Sequence, residues 1–189
     1  MFIALVIATA LLAVMCSSSA SLKLRRNEQA VAVIGGTVGV PMFLGILGGT
    51  PQHWAQYGHA YRDAWTRTGN PADAADIAVA VHGFVGNDDR QAKVTYLEHE
   101  IRMFKTGAGE VGRPALAPAG RAADYEPGGM VFVGGPNEVA DRILHLHELL
   151  GHTRQILQMD VGGMPHATFL KAIELLGTEV LPQIRKQLE

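Results

Sequence analysis

The sequence predicts an α/β fold of parallel β-α-β units, and three observations predict it. Short apolar runs alternate with longer stretches of helical period, in the order strand–helix, strand–helix, loop, strand–helix, strand–helix from Met42 onward. Glycine and proline stand at most of the joints, where strands turn into helices. No stretch repeats at a fixed spacing of 20–50 residues, which argues against a solenoid.

Residues 1–22 differ in kind from the rest. MFIALVIATALLAVM is unbroken and apolar; CSSSASL follows, and then Lys23, Arg25 and Arg26. A membrane-spanning helix needs about 20 apolar residues. The run reaches that length if the serines count, and a bilayer tolerates them when their hydroxyls bond back to the helix. A signal peptide would carry its positive charge before the apolar core, whereas here the charge comes after it. A buried helix is the third reading. As a membrane helix, the basic residues would hold the C-terminal side in the cytoplasm. The expected localisation is therefore a membrane anchor through residues 1–22 with a cytoplasmic C-terminal domain, the alternative being a cytoplasmic protein.

From Met42, MFLGILGG reads as a buried strand. GGTP then turns into a helix, with Thr50 as N-cap and Pro51 as first helical residue. Trp54, Tyr57, Tyr61 and Trp65 recur near helical spacing and form the face expected to pack on the sheet. Ile77–Val85 is the second strand. A helix follows, with Asp88 and Asp89 at its positive end and Ala92, Tyr96, His99 or Glu100, and Met103 along one side. Gly107–Gly129, rich in Gly, Pro and Ala, reads as one long irregular segment. Met130–Val133 is a short strand.

The C-terminal third is the clearest part. Pro136 suits a first helical position, and Glu138 meets the helix dipole. Val139, Ile143, Leu146 and Leu150 share one face, and Gly151 supplies a left-handed cap. RQILQMDV, bounded by Gly162 and Gly163, is the last strand. Leu157, Met159 and Val161 should face helices, with Gln158 and Asp160 opposite. Pro165 opens the last helix, whose inner face is Phe169, Ile173, Leu176, Val180 and Ile184. Pro182 should kink or loosen it.

Composition excludes several classes. The net charge is −2 and charged residues make up 18%, so nothing argues for nucleic acid. Cys16 is the single cysteine, which rules out an internal disulfide and a cysteine-only metal site. His145, His147 and His152 do not make a metal motif: HELLGH separates its histidines by five positions, not four, and positions 145 and 147 point apart on a helix.

Functional groups of β-α-β units gather at the C-terminal ends of strands. Three places qualify. Gly48, Gly49 and Thr50 follow the first strand, His82 and Gly83 close the second, and Gly162, Gly163 and His166 follow the last. The glycines would let a ligand approach backbone amides, and a helix start lies near each. His82 could hydrogen-bond a cofactor edge or shuttle a proton; its plainer reading is a partly buried histidine bonded to a loop. The pattern gives no catalytic residue and no P-loop.

GGPNEVADRILHLHELLGHTRQILQMDVGGMPH, followed by ELLGTEVLPQIR, resembles the last βα unit of the bacterial-luciferase-like flavin-dependent monooxygenases. PMFLGILGGTP and VAVHGFVGNDD resemble two earlier strands of that fold. The likeness covers about residues 41–189. It implies part of a (β/α)8 barrel, about four parallel strands with their helices, since eight units need about 250 residues. It also implies FMN or a deazaflavin as cofactor and a small-molecule substrate. Reduced flavin would activate oxygen or move a hydride. Most of that family's flavin contacts come from segments before the matched part, so activity would require a second copy or a complementing chain. The opening, residues 1–41, resembles the first membrane helix of DoxX-like proteins. The expected organisation is a leader and linker over residues 1–40 and a half-barrel over 41–189, or, alternatively, a non-catalytic membrane-anchored remnant or interaction module from a gene fusion.

Overall fold

The computed structural model describes residues 41–110 and 118–189. In chain order the elements are β1 (Met42–Ile46), α1 (Pro51–Arg67), β2 (Ile77–Val85), α2 (Asp89–Glu110), α3 (Pro118–Tyr125), β3 (Phe132–Gly134), α4 (Pro136–Leu150), β4 (Arg154–Gln158), α5 (His166–Leu175) and α6 (Leu181–Leu188). Residues 41–59 and 76–189 form one compact unit, and Ala60–Ala75 belongs to another. In the latter, Trp65 Nε1 donates to the Pro71 carbonyl at 2.7 Å and Thr68 Oγ1 donates to the Trp65 carbonyl at 2.8 Å, closing the end of α1.

Every strand pairing is parallel, as expected. Ala78–Val81 of β2 pair with Phe43–Ile46 and also with Arg154–Leu157. A strand has two edges, so β1 and β4 flank β2. The strand expected at Met130–Val133 runs instead from Phe132 to Gly134, and among the described residues it pairs only with Gly83–Val85 at the upper end of β2. The shift has a local cause: the Val131 amide donates to the Asp124 carbonyl at 3.0 Å, so the end of α3 holds it rather than a strand.

The sheet has one covered and one open face, following the two-residue period of strands. Met42, Leu44, Ile46, Ile77, Val79 and Val81 are buried. On the other face Phe43 is 62% exposed, Leu47 58% and Ile156 41%, with Ala78 and Ala80 half-buried between them. Met159 and Val161 are buried and Leu157 is half-buried, while Gln158 and Asp160 are exposed. That is the division expected of β4 and the residues after it.

Helix α4 matches its expected bounds: Pro136 is its first residue, Gly151 caps it at φ 60°, and Val139, Ile143, Leu146 and Leu150 are buried. Thr50 Oγ1 accepts from the His53 amide at 3.3 Å, which makes it the cap of α1. Of the α1 aromatics, Tyr61 and Trp65 are buried and Trp54 and Tyr57 half-buried.

Two expectations are corrected, and a third is met at Pro182. Gly107–Gly129 is not one irregular segment, because α2 continues to Glu110 and α3 begins at Pro118. Alanine is the strongest helix former and proline suits a first helical turn, so PAGRAADY folds despite its composition. The inner face of α5 centres on Ala172 and Leu175, with Phe169 and Leu176 partly buried and Ile173 43% exposed. Ala172–Ile173 and Leu175–Leu176 are adjacent apolar pairs, so periodicity admits either stripe. The helix loosens through a π-helical turn, Leu176–Val180, just before Pro182.

The membrane-anchored, cytoplasm-facing placement is also corrected. Among the described residues no helix is long and apolar enough to cross a membrane. The segment expected to be the anchor, residues 1–22, and the DoxX-like resemblance of residues 1–41 fall almost wholly outside the described residues.

Candidate functional site

Helix α2 holds the segments at the C-terminal ends of β2 and β4. Its Ala92, Tyr96, His99 and Glu100 are buried. Tyr96 donates its hydroxyl proton to the Gln158 carbonyl of β4 at 2.6 Å. Arg102 Nη1 donates to the Gly162 carbonyl at 3.3 Å. Glu100 lies against His82 of β2.

Glu100 is 0% exposed and is the centre of a buried polar network. Its Oε1 accepts from His82 Nδ1 at 2.5 Å and from Arg121 Nη2 at 2.6 Å. Its Oε2 accepts from Arg121 Nε at 3.2 Å and from the Tyr125 hydroxyl at 2.9 Å. Arg121 Nη1 in turn donates to Asp124 Oδ2 at 2.7 Å and to the Leu47 carbonyl. Asp124 Oδ1 accepts from the Gly49 amide at 3.0 Å. The chain of contacts therefore runs from the turn after β1, through α3, to the end of β2. Phe104 packs against two members of it: the His82 ring stacks on it at 6.0 Å, and the Arg121 guanidinium lies 5.6 Å from its centroid.

The electrostatics follow from these contacts. Burial by itself would raise the Glu100 carboxyl, but the bonds from His82, Arg121 and Tyr125 and the Arg121 charge outweigh it and hold it at about 2. Burial and the Glu100 charge push the Tyr96 and Tyr125 hydroxyls well above the usual phenol range. An ionised carboxylate only accepts hydrogen bonds, so His82 Nδ1 must carry the proton in the bond to Glu100. In the neutral ring this leaves the lone pair on Nε2, which has no hydrogen-bond partner among the described residues. A histidine oriented in this way can accept a proton, or a hydrogen bond, at one defined atom.

The residues singled out from the sequence fall into two groups. Gly49 and His82 belong to the network and Gly48 lies beside its Asp124, whereas Thr50 only caps α1. A Cβ on Gly48 would come within 2.8 Å of Asp124 Oδ1, and Gly49 has φ +94° and gives its amide to the same carboxylate. Gly83 is packed within the sheet, where a Cβ would meet Leu157 at 2.8 Å. Gly162 has φ +57° and lies against the backbone of His99, while Gly163 (φ +69°) is open. His166, the first residue of α5, is exposed and outside the network. Arg121, Asp124 and Tyr125 were missed because their segment reads as irregular. Glu100 stood in the sequence only as one of two candidates for a helix face. The histidines near the end of α4 are otherwise engaged: His147 Nδ1 bonds the His152 carbonyl at 2.8 Å, and the described residues contain no group of three potential metal ligands.

No family model matches the sequence, and no curated relative matches it. Solved structures do. Monooxygenase RslO1 from Streptomyces bottropensis is similar with a TM-score of 0.62 at 21% identity, over 80% of this chain and 44% of that one. The oxygenating constituent of 3,6-diketocamphane monooxygenase from Pseudomonas putida, solved with FMN, gives 0.58 at 18% identity, over 81% and 45%. The coenzyme F420-dependent tetrahydromethanopterin reductase of Methanopyrus kandleri gives 0.53 at 19% identity, over 83% and 48%. The four-strand parallel sheet and its helices match part of the fold of these flavin-linked enzymes, that of the luciferase-like monooxygenases. The chain spans less than half the length of these structures, and at such identities the likeness concerns fold alone.

Proposed function

We propose that residues 41–189 are the C-terminal portion of a luciferase-like, flavin-dependent monooxygenase or related oxidoreductase, acting on a small-molecule substrate once further βα units close its sheet. The observation that carries the proposal is the His82–Glu100–Arg121 network at the strand ends of this fold. A reduced flavin, FMN or a deazaflavin, would supply the electrons that activate oxygen or move as hydride. Its fit to the described residues is partial. His82 Nε2 offers one hydrogen-bonding point, and Phe43, Leu47 and Ile156 offer an apolar surface. The turn after β1 offers no free anion cradle, because Asp124 holds the Gly49 amide. A flavin phosphate would therefore rest on segments supplied by the completing units, as would much of the ring contact. In this reading His82 holds or moves a proton at Nε2, and Glu100, Arg121 and Tyr125 keep its ring in place. Gly48, Gly49, Thr50, Gly83, Gly162, Gly163 and His166 then shape the rim of the site rather than its chemistry.

The uncovered sheet face favours one second reading, a non-catalytic module that uses the face to bind another polypeptide. Flavin titration separates the two. The purified chain is mixed with a polypeptide carrying the preceding half of a similar barrel, and FMN fluorescence quenching is followed. Stoichiometric quenching that His82→Ala weakens supports the flavoenzyme reading. A stable complex of the two chains that leaves FMN fluorescence unchanged supports the interaction module instead.

A further inference from the structure

A cavity of about 310 Å³ lies between the end of β2, the first turns of α2 and the first turns of α5. Its floor is apolar: Phe84, Ala92, Ala172 and Leu175. Its rim is polar, and the side chains of Asn87, Gln91, Thr95 and Thr168 on it make no hydrogen bond to a described residue. Lys171, half exposed, is the one charged residue of the lining among the described residues, and Glu174 on the same helix bonds it at 3.0 Å. An apolar floor with unpaired polar groups converging at the opening is the usual form of a small-molecule site. None of the lining residues belongs to the His82–Glu100 network.

We propose that this cavity binds a small amphiphilic anion, a medium-length alkyl chain with a carboxylate head. The chain lies on Phe84, Ala92, Ala172 and Leu175, and the head meets Lys171 and Thr168. At the roughly 30 Å³ that a water occupies in the liquid, the cavity accepts a ligand of about ten non-hydrogen atoms. That is the size of octanoate. Lys171 is available to such a head group, because Glu174, its ion-pair partner among the described residues, is itself exposed and easily left to solvent.

The proposal is independent of flavin, and its test uses none. The full chain is titrated with octanoate, 1-octanol and acetate while backbone amide shifts of Gly86, Asn87, Thr95 and Thr168 are followed by NMR. Octanoate should saturate these shifts, octanol should bind about tenfold more weakly for want of the charge, and acetate weaker still. Lys171→Gln should weaken octanoate about tenfold and leave octanol nearly unchanged. Ala167→Trp, at an exposed position of the lining, should fill the cavity and abolish both without lowering the melting temperature. Shifts that do not saturate, or saturating shifts that survive Ala167→Trp, overturn the site. Equal losses for octanoate and octanol in Lys171→Gln overturn the assigned head group.

Discussion

Glu100 is the residue on which the site turns, and its ionisation makes a testable link to stability. Its folded-state value of about 2 lies below its ordinary 4.5, so the folded protein favours the carboxylate. The stabilisation is fully present above the unfolded value and is lost as pH falls from about 4.5 toward 2. The difference converts to about 3 kcal/mol. Glu100→Gln removes the charge that Arg121 needs and should cost about 3–5 kcal/mol near neutral pH, the usual range for breaking a buried pair. Urea denaturation of both proteins at pH 7 and at pH 2.5 checks this: the gap between them should narrow markedly at the lower pH, and a constant gap would refute the linkage. Gly162 gives a second residue-scale prediction. A Cβ there would stand 1.9 Å from the His99 carbonyl oxygen, on a backbone at φ +57°. Gly162→Ala should therefore destabilise by more than the ~1–2 kcal/mol of left-handed strain alone. A melting temperature within a degree of the parent's would show that the two segments do not lie so close.

At the scale of elements, α3 acts as a clamp. Asp124 binds the turn after β1 through Gly49, and Arg121 from the same helix reaches Glu100 on α2. Asp124→Ala should free the Gly49 amide and leave Arg121 with one carboxylate, costing about 1–3 kcal/mol. Hydrogen exchange should report it as faster exchange at Gly49 and along α3, with α4 unaffected; unchanged protection at Gly49 would mean that the clamp is not formed in solution. This clamp also shows what the sequence can and cannot reveal. Helix α4 is legible because its signals are local, a proline at its start and a glycine at φ 60° after its end. The parallel strands are legible because apolar runs and glycine turns repeat in order. The network is not, because Glu100 and Arg121 stand 21 residues apart and His82 and Glu100 stand 18 apart. Nothing in local periodicity couples such positions. Of the three rim segments proposed from sequence, those after β1 and β2 meet in the network through α2 and α3, the one after β4 touches α2 at Gly162 outside it, and only His82 carried a chemical type that the network uses.

At the scale of the whole sheet, parallel strands are normally covered on both faces, and here one face is open. Phe43 is 62% exposed and Ile156 41%, and among the described residues β1 and β4 each pair with β2 alone. Open parallel edges beside an apolar face are a template for another chain. The chain should therefore self-associate in a concentration-dependent way when purified alone. Phe43→Lys with Ile156→Lys should suppress that association by placing charges on the face, while leaving the fold intact, since both side chains stand clear of the covered core. Light scattering after size exclusion, with circular dichroism as the fold control, measures both effects. A parent chain that stays monomeric at high concentration would mean that the face is covered from within the polypeptide. A double variant that associates as strongly as the parent would place the contact elsewhere. If association falls and the complementing half-barrel also ceases to bind, the same face serves both, and the contact among copies stands in for the one that completes the barrel.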